Sequence, residues 1–229
     1  MKSLKNGCNL NKCMMCKLCL HDWLPAIQAH RTNFKVARGE KLFAENDPVT
    51  GIYFVYSGLF KVHKHWDDDK ELIVRFARDG DIVGHRGLGS DNIFPVSATA
   101  IDNSTVCFVS VDFFLSTLKV NPDFLFQLMM FYASELKESE RKMRNLAHMP
   151  VKGRIAYALI LLHRKFGVPD SGEIGIDISR QDLASYVGTS YETLFRMLTE
   201  LINEGAVRTD NKKIIIADFE LLHSHTPAP

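Results

Sequence analysis

From Asn33 to Ser110 six short runs rich in β-branched and aromatic residues follow one another: "NFKVA", "GIYFVYSG", "LFKVHKHW", "ELIVRFA", "VSATAI" and "TVCFVS". Gly39, Gly51, Gly58, Gly80 and Gly84 punctuate them. Strands so short and evenly spaced predict an antiparallel fold, closed or sandwiched. A small β-barrel of jelly-roll type over residues 33–121 is the economical reading. The chain has 229 residues, 46% of them hydrophobic, which is enough apolar material for a second compact domain.

The pattern turns helical at Pro122. Met129, Tyr132, Leu136, Met143 and Leu146 recur at alternating intervals of three and four, with Ser139 in the remaining slot. That alternation is the signature of a coiled-coil seam and predicts a homodimer built on a helix over 122–148. A second stripe, Leu125, Leu128 and Phe131, is expected to pack back on the β-domain. The plainer alternative is one long helix buried on its own protein. Pro150 then breaks the chain, Val151 to Phe166 resumes as a separate amphipathic helix, and a third domain over 149–229 begins at this hinge.

The third domain carries "ISRQDLASYVGTSYETLFRMLTELINEGAV". Ser179 is a suitable N-cap for a short helix with Leu183 and Ala184 inward; Val187, Gly188 and Thr189 form a turn; Ser190 caps the next helix. That second helix buries Leu194, Leu198, Leu201 and Ile202 and leaves Tyr191, Glu192, Phe195 and Arg196 outward near its start, where a helix-turn-helix presents side chains to base edges. Gly205 ends it, and "AVRTDNKKIIIAD" reads as a two-stranded wing turning at Asp210 and Asn211. The sequence predicts a winged helix-turn-helix; the bland alternative is a structural helical pair.

Net charge is +1, and from Val151 onward nine basic residues do not outnumber ten acidic ones. Binding to double-stranded DNA is therefore expected to depend on a local set, Arg180, Arg196, Arg208, Lys212 and Lys213, and on dimerisation. No apolar stretch reaches the roughly twenty residues of a membrane span, and no apolar core with a small-residue cleavage site stands at the N-terminus, so a cytoplasmic location is expected. GxSxG, GxxxxGK[ST] and HExxH are absent, and an enzyme is not expected.

Residues 1–32 form a cysteine-rich segment. Cys8, Cys13, Cys16 and Cys19 crowd together, and Cys107 stands alone in an apolar run. In a reducing compartment such a group holds metal or senses redox state rather than forming structural disulfides. C-x2-C-x2-C is a ferredoxin-like spacing. On the residues alone zinc is as ready an occupant, and a lone buried cysteine is most often inert.

A β-barrel, a long dimer helix and a winged helix in that order resemble the Crp/Fnr superfamily of bacterial transcription regulators over nearly the whole chain. The resemblance implies an α+β chain with a cyclic-nucleotide-binding-like sensor domain. It places "GDIVGHRGLGSDNIFP" at the superfamily's phosphate-binding cassette. Cyclic-nucleotide members carry a Glu after the glycine and a later Arg-Ser pair; here His85 follows Gly84, and Pro95 and Val96 stand where Arg-Ser would fall. A cyclic-nucleotide site is thus expected to be dismantled, with Arg86 the one residue positioned to serve a small anion instead. The departures run towards the oxygen-sensing FNR branch, in which three N-terminal cysteines and one from a late barrel strand hold a [4Fe-4S] cluster. By that resemblance Cys13, Cys16, Cys19 and Cys107 are the ligands, with Cys8 a possible substitute because the final N-terminal gap is shorter than the branch's. Zinc, thiol redox chemistry and haem on His21, His30, His63, His65 or His85 are the alternatives. Glu192 and Arg196 match the superfamily's base-reading pair, implying a palindromic site with a TGA-like core and, as partners, a second copy of the chain and RNA polymerase.

Overall fold

The structure, a computed structural model, describes residues 1–4, 13–67, 70–168 and 170–226. Two compact units divide it: Met1–Trp66 with Val74–Lys137, and Asp67–Ile73 with Glu138–Pro229. In chain order the elements are β1 (Lys2–Leu4), α1 (Met14–Leu18), α2 (Leu24–His30), β2 (Thr32–Val36), β3 (Lys41–Phe43), β4 (Gly51–Ser57), β5 (Phe60–His65), β6 (Glu71–Ala77), β7 (Ile82–Val83), β8 (Ser97–Ala100), β9 (Ser104–Ser110) and α3 (Val111–Val120). There follow α4 (Pro122–His148), α5 (Val151–Phe166), α6 (Arg180–Val187), α7 (Tyr191–Asn203), β10 (Val207–Asp210), β11 (Lys213–Ile216) and α8 (Phe219–Ser224). Among the described residues no helix is long and apolar enough to cross a membrane.

The β-strands of the first unit do not close into the expected barrel. They form two antiparallel sheets, one ordered β1-β2-β9-β4-β7 and one ordered β3-β8-β5-β6. The physical reason lies in the strands that pattern reading missed: β3 has three residues and β7 two, too short to carry a continuous ladder from one sheet into the other. Side-chain alternation then assigns each face of the larger sheet. Tyr53, Val55 and Val106 point into a core shared with Phe60, Val62, Ala98 and Phe94. Their sequence neighbours Ile52, Phe54, Cys107 and Val109 point to the opposite face, where they pack with Met15, Ile27, Phe113, Phe114, Phe124 and Leu128 from the helices. The two central strands are thus buried on both sides, which is why "IYFV" and "VCFV" read as continuous apolar runs rather than alternating ones.

The second stripe of α4 is shifted from the expected one. Phe124 is fully buried, Leu128 buried and Phe131 half-buried, whereas Leu125 is 47% exposed. Helical geometry places 124, 128 and 131 on one face, and Leu125 falls a hundred degrees off it.

The second unit contains the remainder of α4, three further helices of the helix-turn-helix, the two-stranded β10–β11 wing and α8. Ile155, Leu159 and Leu162 of α5 are buried, as are Leu183, Leu194, Leu198, Leu201 and Leu222. Both caps read from sequence are made: Ser179 accepts from the Asp182 N–H and Ser190 from the Thr193 N–H. Each such cap is worth about 1 kcal/mol. Gly188 adopts φ +73° at the turn, and a Cβ there would come within 2.5 Å of Leu146 Cδ2, so this turn admits only glycine in shape and in conformation.

Candidate sensing and DNA-binding sites

The cysteine segment is wound into one helical turn. Cys13 is the N-cap of α1, its Sγ accepting from the Cys16 N–H at 3.5 Å, and Cys19 is the C-cap. Intervals of three residues keep all three near one side of so short a helix. Cys13, Cys16 and Cys107 are buried in the same apolar cluster, with Cys19 packed against it. Strand periodicity brings Cys107 there: it stands opposite Asn33 on β2 and Phe54 on β4, one residue out of phase with the core-facing Val106. Burial pushes the Cys19 thiol up to about 12, and the proximity of Cys13 adds to the shift. A thiolate is disfavoured in so apolar a place until a cationic group arrives. Soft sulfur donors fit a soft metal centre rather than calcium or magnesium. Cys8 lies outside the described residues.

Thr117 of α3 and Asn121, the residue that caps it, fasten this segment. Asn121 Oδ1 accepts from the Leu20 N–H at 2.7 Å, next to Cys19, and Thr117 Oγ1 accepts from the Trp23 Nε1–H at 3.1 Å. Both are buried.

The glycine cassette of the same unit is filled from within. Gly84, at φ +89°, turns the chain into a short 3-10 helix that buries His85 to 2% exposure. Arg75, inward on β6, lies 3.5 Å from Asp81 and 3.3 Å from Glu135. Arg86 donates to the other Glu135 oxygen at 2.6 Å, and the Tyr132 hydroxyl donates to the His85 carbonyl. Burial would raise the Glu135 carboxyl, but Arg75 and Arg86 outweigh it and hold it below the ordinary carboxylate range. Burial, reinforced by Arg75 and only partly offset by Glu135, drives His85 down to about 3, so the ring is neutral. Neither ring nitrogen has a hydrogen-bond partner. Glu135 of α4 thus faces the cassette. Arg75 was the missed signal, since an arginine inward on the apolar run "ELIVRFA" requires a buried counter-charge. Of the other histidines named for haem, His30 stacks on Phe113, His63 bonds Thr99 Oγ1 at 2.9 Å, and His21 and His65 are exposed.

In the second unit α7 presents Tyr191, Glu192, Phe195 and Arg196 to solvent, with Ser190 exposed at its cap. Among the described residues neither Glu192 nor Arg196 has an ion-pair or hydrogen-bond partner within the chain. Of the expected phosphate-binding set, Arg208 and Lys212 are exposed, Lys213 pairs with Glu173 at 2.8 Å, and Arg180 is half-buried, its basicity lowered by that burial.

Residues 33–121 match the cyclic nucleotide-binding domain, and residues 153–224 match the Crp-like helix-turn-helix domain. The chain belongs to the Crp/Fnr family. The CRP-like cAMP-activated global transcriptional regulator of Mycobacterium tuberculosis is 27% identical over 81% of this chain and 84% of the relative. The transcriptional activator protein anr of Pseudomonas aeruginosa is 27% identical over 79% and 75%. The structure of FixK2 from Bradyrhizobium japonicum superposes with a TM-score of 0.78 at 25% identity, covering 87% of this chain and 98% of that one. The first two relatives are transcription regulators by name, and with its helix-turn-helix domain this Crp/Fnr chain is a DNA-binding transcription regulator rather than an enzyme.

The family's long helix is α4 here, and the six seam residues divide on it. Met129, Leu136, Ser139 and Met143 are exposed, Leu136 and Met143 by 61% and 64%. Tyr132 is half-buried and bonded to the His85 carbonyl, and Leu146 is half-buried beside Gly188 of the turn between α6 and α7. Phe126 and Met130 add to the exposed apolar surface of the same helix.

Proposed function

We propose that this Crp/Fnr protein is a homodimeric, sequence-specific regulator whose DNA affinity is set by an oxygen- or nitric-oxide-sensitive [4Fe-4S] cluster on Cys13, Cys16, Cys19 and Cys107. The observation that carries the reading is the burial of the helical cysteine turn and Cys107 in one apolar cluster although they are far apart in sequence. Similarity to the anr activator and to the anaerobic regulatory protein of Bacillus subtilis, 28% identical over 86% of this chain, supports it. When bound, such a cluster supplies an oxidant-labile link between the N-terminal turn and β9.

The chain's own residues carry the rest. Phe124 and Leu128 of α4 sit in the cluster with the cysteines, so the packing of the cysteine turn bears directly on the helix. Met129, Leu136, Ser139 and Met143 form the outward surface that meets a second copy. A bias of a few kcal/mol suffices to shift such a two-state equilibrium. Glu192 and Arg196 lie one helical turn apart with free charges, suited to cytosine N4 and guanine O6/N7 in each half-site. Residues 1–32, 33–121, 122–148 and 149–229 are the corresponding functional divisions, and RNA polymerase is the partner at the promoter. Glu135 between Arg75 and Arg86 weighs against a cyclic nucleotide in the cassette, although one relative is cAMP-activated.

Metal and sulfide analysis of anaerobically purified protein tests the reading. About four irons and four sulfides per chain are expected, with DNA affinity falling on exposure to air and unmoved by cyclic AMP. One zinc without sulfide overturns the cluster assignment.

A further inference from the structure

Phe195 is the most exposed phenylalanine among the described residues, at 62%, and Tyr191, one helical turn before it, is 45% exposed. Phe54, Phe60, Phe94, Phe114 and Phe124 are by contrast fully buried, while Phe126 and Phe219 are exposed to a lesser degree than Phe195. Among the described residues the Phe195 ring makes no contact with another ring. Its backbone carbonyl accepts from the Thr199 hydroxyl at 2.9 Å, which turns that hydroxyl back onto the helix. The surface around the ring is therefore apolar on the side towards Tyr191 and charged on the side towards Arg196.

We propose that Phe195, supported by Tyr191, reads the 5-methyl group of a thymine adjoining the base contacted by Arg196, making a pyrimidine methyl a specificity determinant of the half-site. The proposal rests on α7 being the helix that enters the major groove. A phenyl ring has neither donor nor acceptor, so it gains nothing from guanine or adenine edges and desolvates the cytosine amino group at a cost. Thymine alone among the unmodified bases offers an apolar group at the major-groove edge. Sequence adjacency fixes the place: Phe195 precedes Arg196 and follows Glu192 by three residues, so the ring lies on the same exposed face as both charged readers. An exposed aromatic ring flanked by a free guanidinium on a helix start is matched by a major groove with a methyl beside a guanine. Tyr191 widens the apolar surface and keeps its hydroxyl at the rim, available to phosphate.

The discriminating experiment replaces each thymine of a bound palindromic duplex in turn with uracil, which removes the methyl and nothing else. Anaerobic full-length protein is titrated against each duplex by fluorescence anisotropy. One uracil position per half-site is expected to weaken wild-type binding about fourfold, the worth of one buried methyl. At that position cytosine is expected to bind worse than uracil, and 5-methylcytosine better than cytosine. Phe195→Ser should bind thymine and uracil duplexes equally, Phe195→Leu should retain part of the methyl preference, and Arg196→Ala should lose affinity on every duplex while keeping it. If wild type binds tightly and no uracil replacement weakens it, the methyl reading is wrong while the placement of α7 stands. If Phe195→Ser keeps the full thymine preference, another residue reads the methyl and the assignment fails. If wild type binds no duplex, the placement of α7 fails and the methyl reading with it.

Discussion

Two buried groups in the first unit solve the same problem in opposite ways. Around the cassette, Arg75, Arg86 and His85 are brought out of water together with Glu135, and the charges meet their partners within the chain at 2.6–3.5 Å. Around the cysteines, Cys13, Cys16 and Cys107 are withdrawn among Ile52, Phe54, Phe113 and Phe124. The first site is electrostatically complete as the chain folds, and the second gains most from something added. A site already closed by its own carboxylate is poorly suited to an outside anion, whereas thiols held in a dry pocket are suited to a cationic soft-metal centre. On the proposed reading, the difference marks where in this fold a signal enters: at the face of the larger sheet that carries Cys107, rather than in the cassette.

Removing one ligand should separate the two sites most sharply. Cys107→Ser is expected to abolish iron and sulfide retention and to lower DNA affinity at least about tenfold, while Glu135→Gln leaves metal content at the wild-type level. Anaerobic metal analysis with parallel anisotropy titrations checks both. Full iron content in Cys107→Ser would erase the contrast. Next in size is the cassette itself. Glu135→Ala removes the counter-charge of Arg86 and one of the two carboxylates beside Arg75, and should cost about 3 kcal/mol of stability. Denaturant titration measures it. A Glu135→Leu, Arg75→Met double replacement should recover only part of that loss, because the apolar pair needs no compensation whereas Arg86 still lacks its carboxylate.

These two sites were unequally legible. The helix-turn-helix could be read almost residue by residue, since Ser179, Gly188, Ser190 and Gly205 act locally and a local signal survives in one dimension. The strand carrying Cys107 could also be read, and so could its partner cysteines as a group. What pattern could not show was that the sheets stay apart, because the deciding strands β3 and β7 are too short to stand out from turns. Nor could it place Glu135. On α4 a glutamate beside an apolar stripe looks like any solvated charge, and only contact with Arg75 and Arg86, from distant β-segments, turns it inward. Leu125 failed for a smaller reason: a hundred-degree error in the assumed face exchanges it for Phe124. Long-range partners, rather than propensity, account for each of these misses.

Acid probes the first of these sites further, because His85 and Glu135 within it respond in different windows. His85 is neutral in the fold, its pKa lowered from 6.5 to about 3 chiefly by burial. Between those values the unfolded chain binds a proton that the folded chain does not, so stability falls as pH drops through that range. The wild type should lose about 2 kcal/mol between pH 7 and pH 5 on this account. His85→Gln should lose correspondingly less. Glu135, whose folded pKa is depressed, contributes stability above the ordinary carboxylate range and loses it only below. Denaturation midpoints of both proteins at the two pH values are the measurement; parallel losses would mean that His85 is not the group responsible.

The smallest effect concerns how the cysteine turn is held. Thr117 accepts from the Trp23 indole N–H and donates to the Phe113 carbonyl at 2.8 Å, tying the segment that follows Cys19 to α3. Valine has nearly the same shape and neither bond. Thr117→Val should therefore cost only about 1 kcal/mol in global stability, the net worth of an ordinary hydrogen bond, because half-buried Trp23 regains a water partner. Its local consequence should be larger than its global one. With the turn less firmly seated against the face that bears Cys107, the protein should lose iron in air faster than wild type, at unchanged iron content when kept anaerobic. Stopped-flow bleaching after mixing with aerated buffer reads that rate. If Thr117→Val and wild type bleach at the same rate, the Trp23–Thr117 bond fastens the fold but not the site, and the work of positioning Cys19 falls to Asn121 and its bond to the Leu20 N–H.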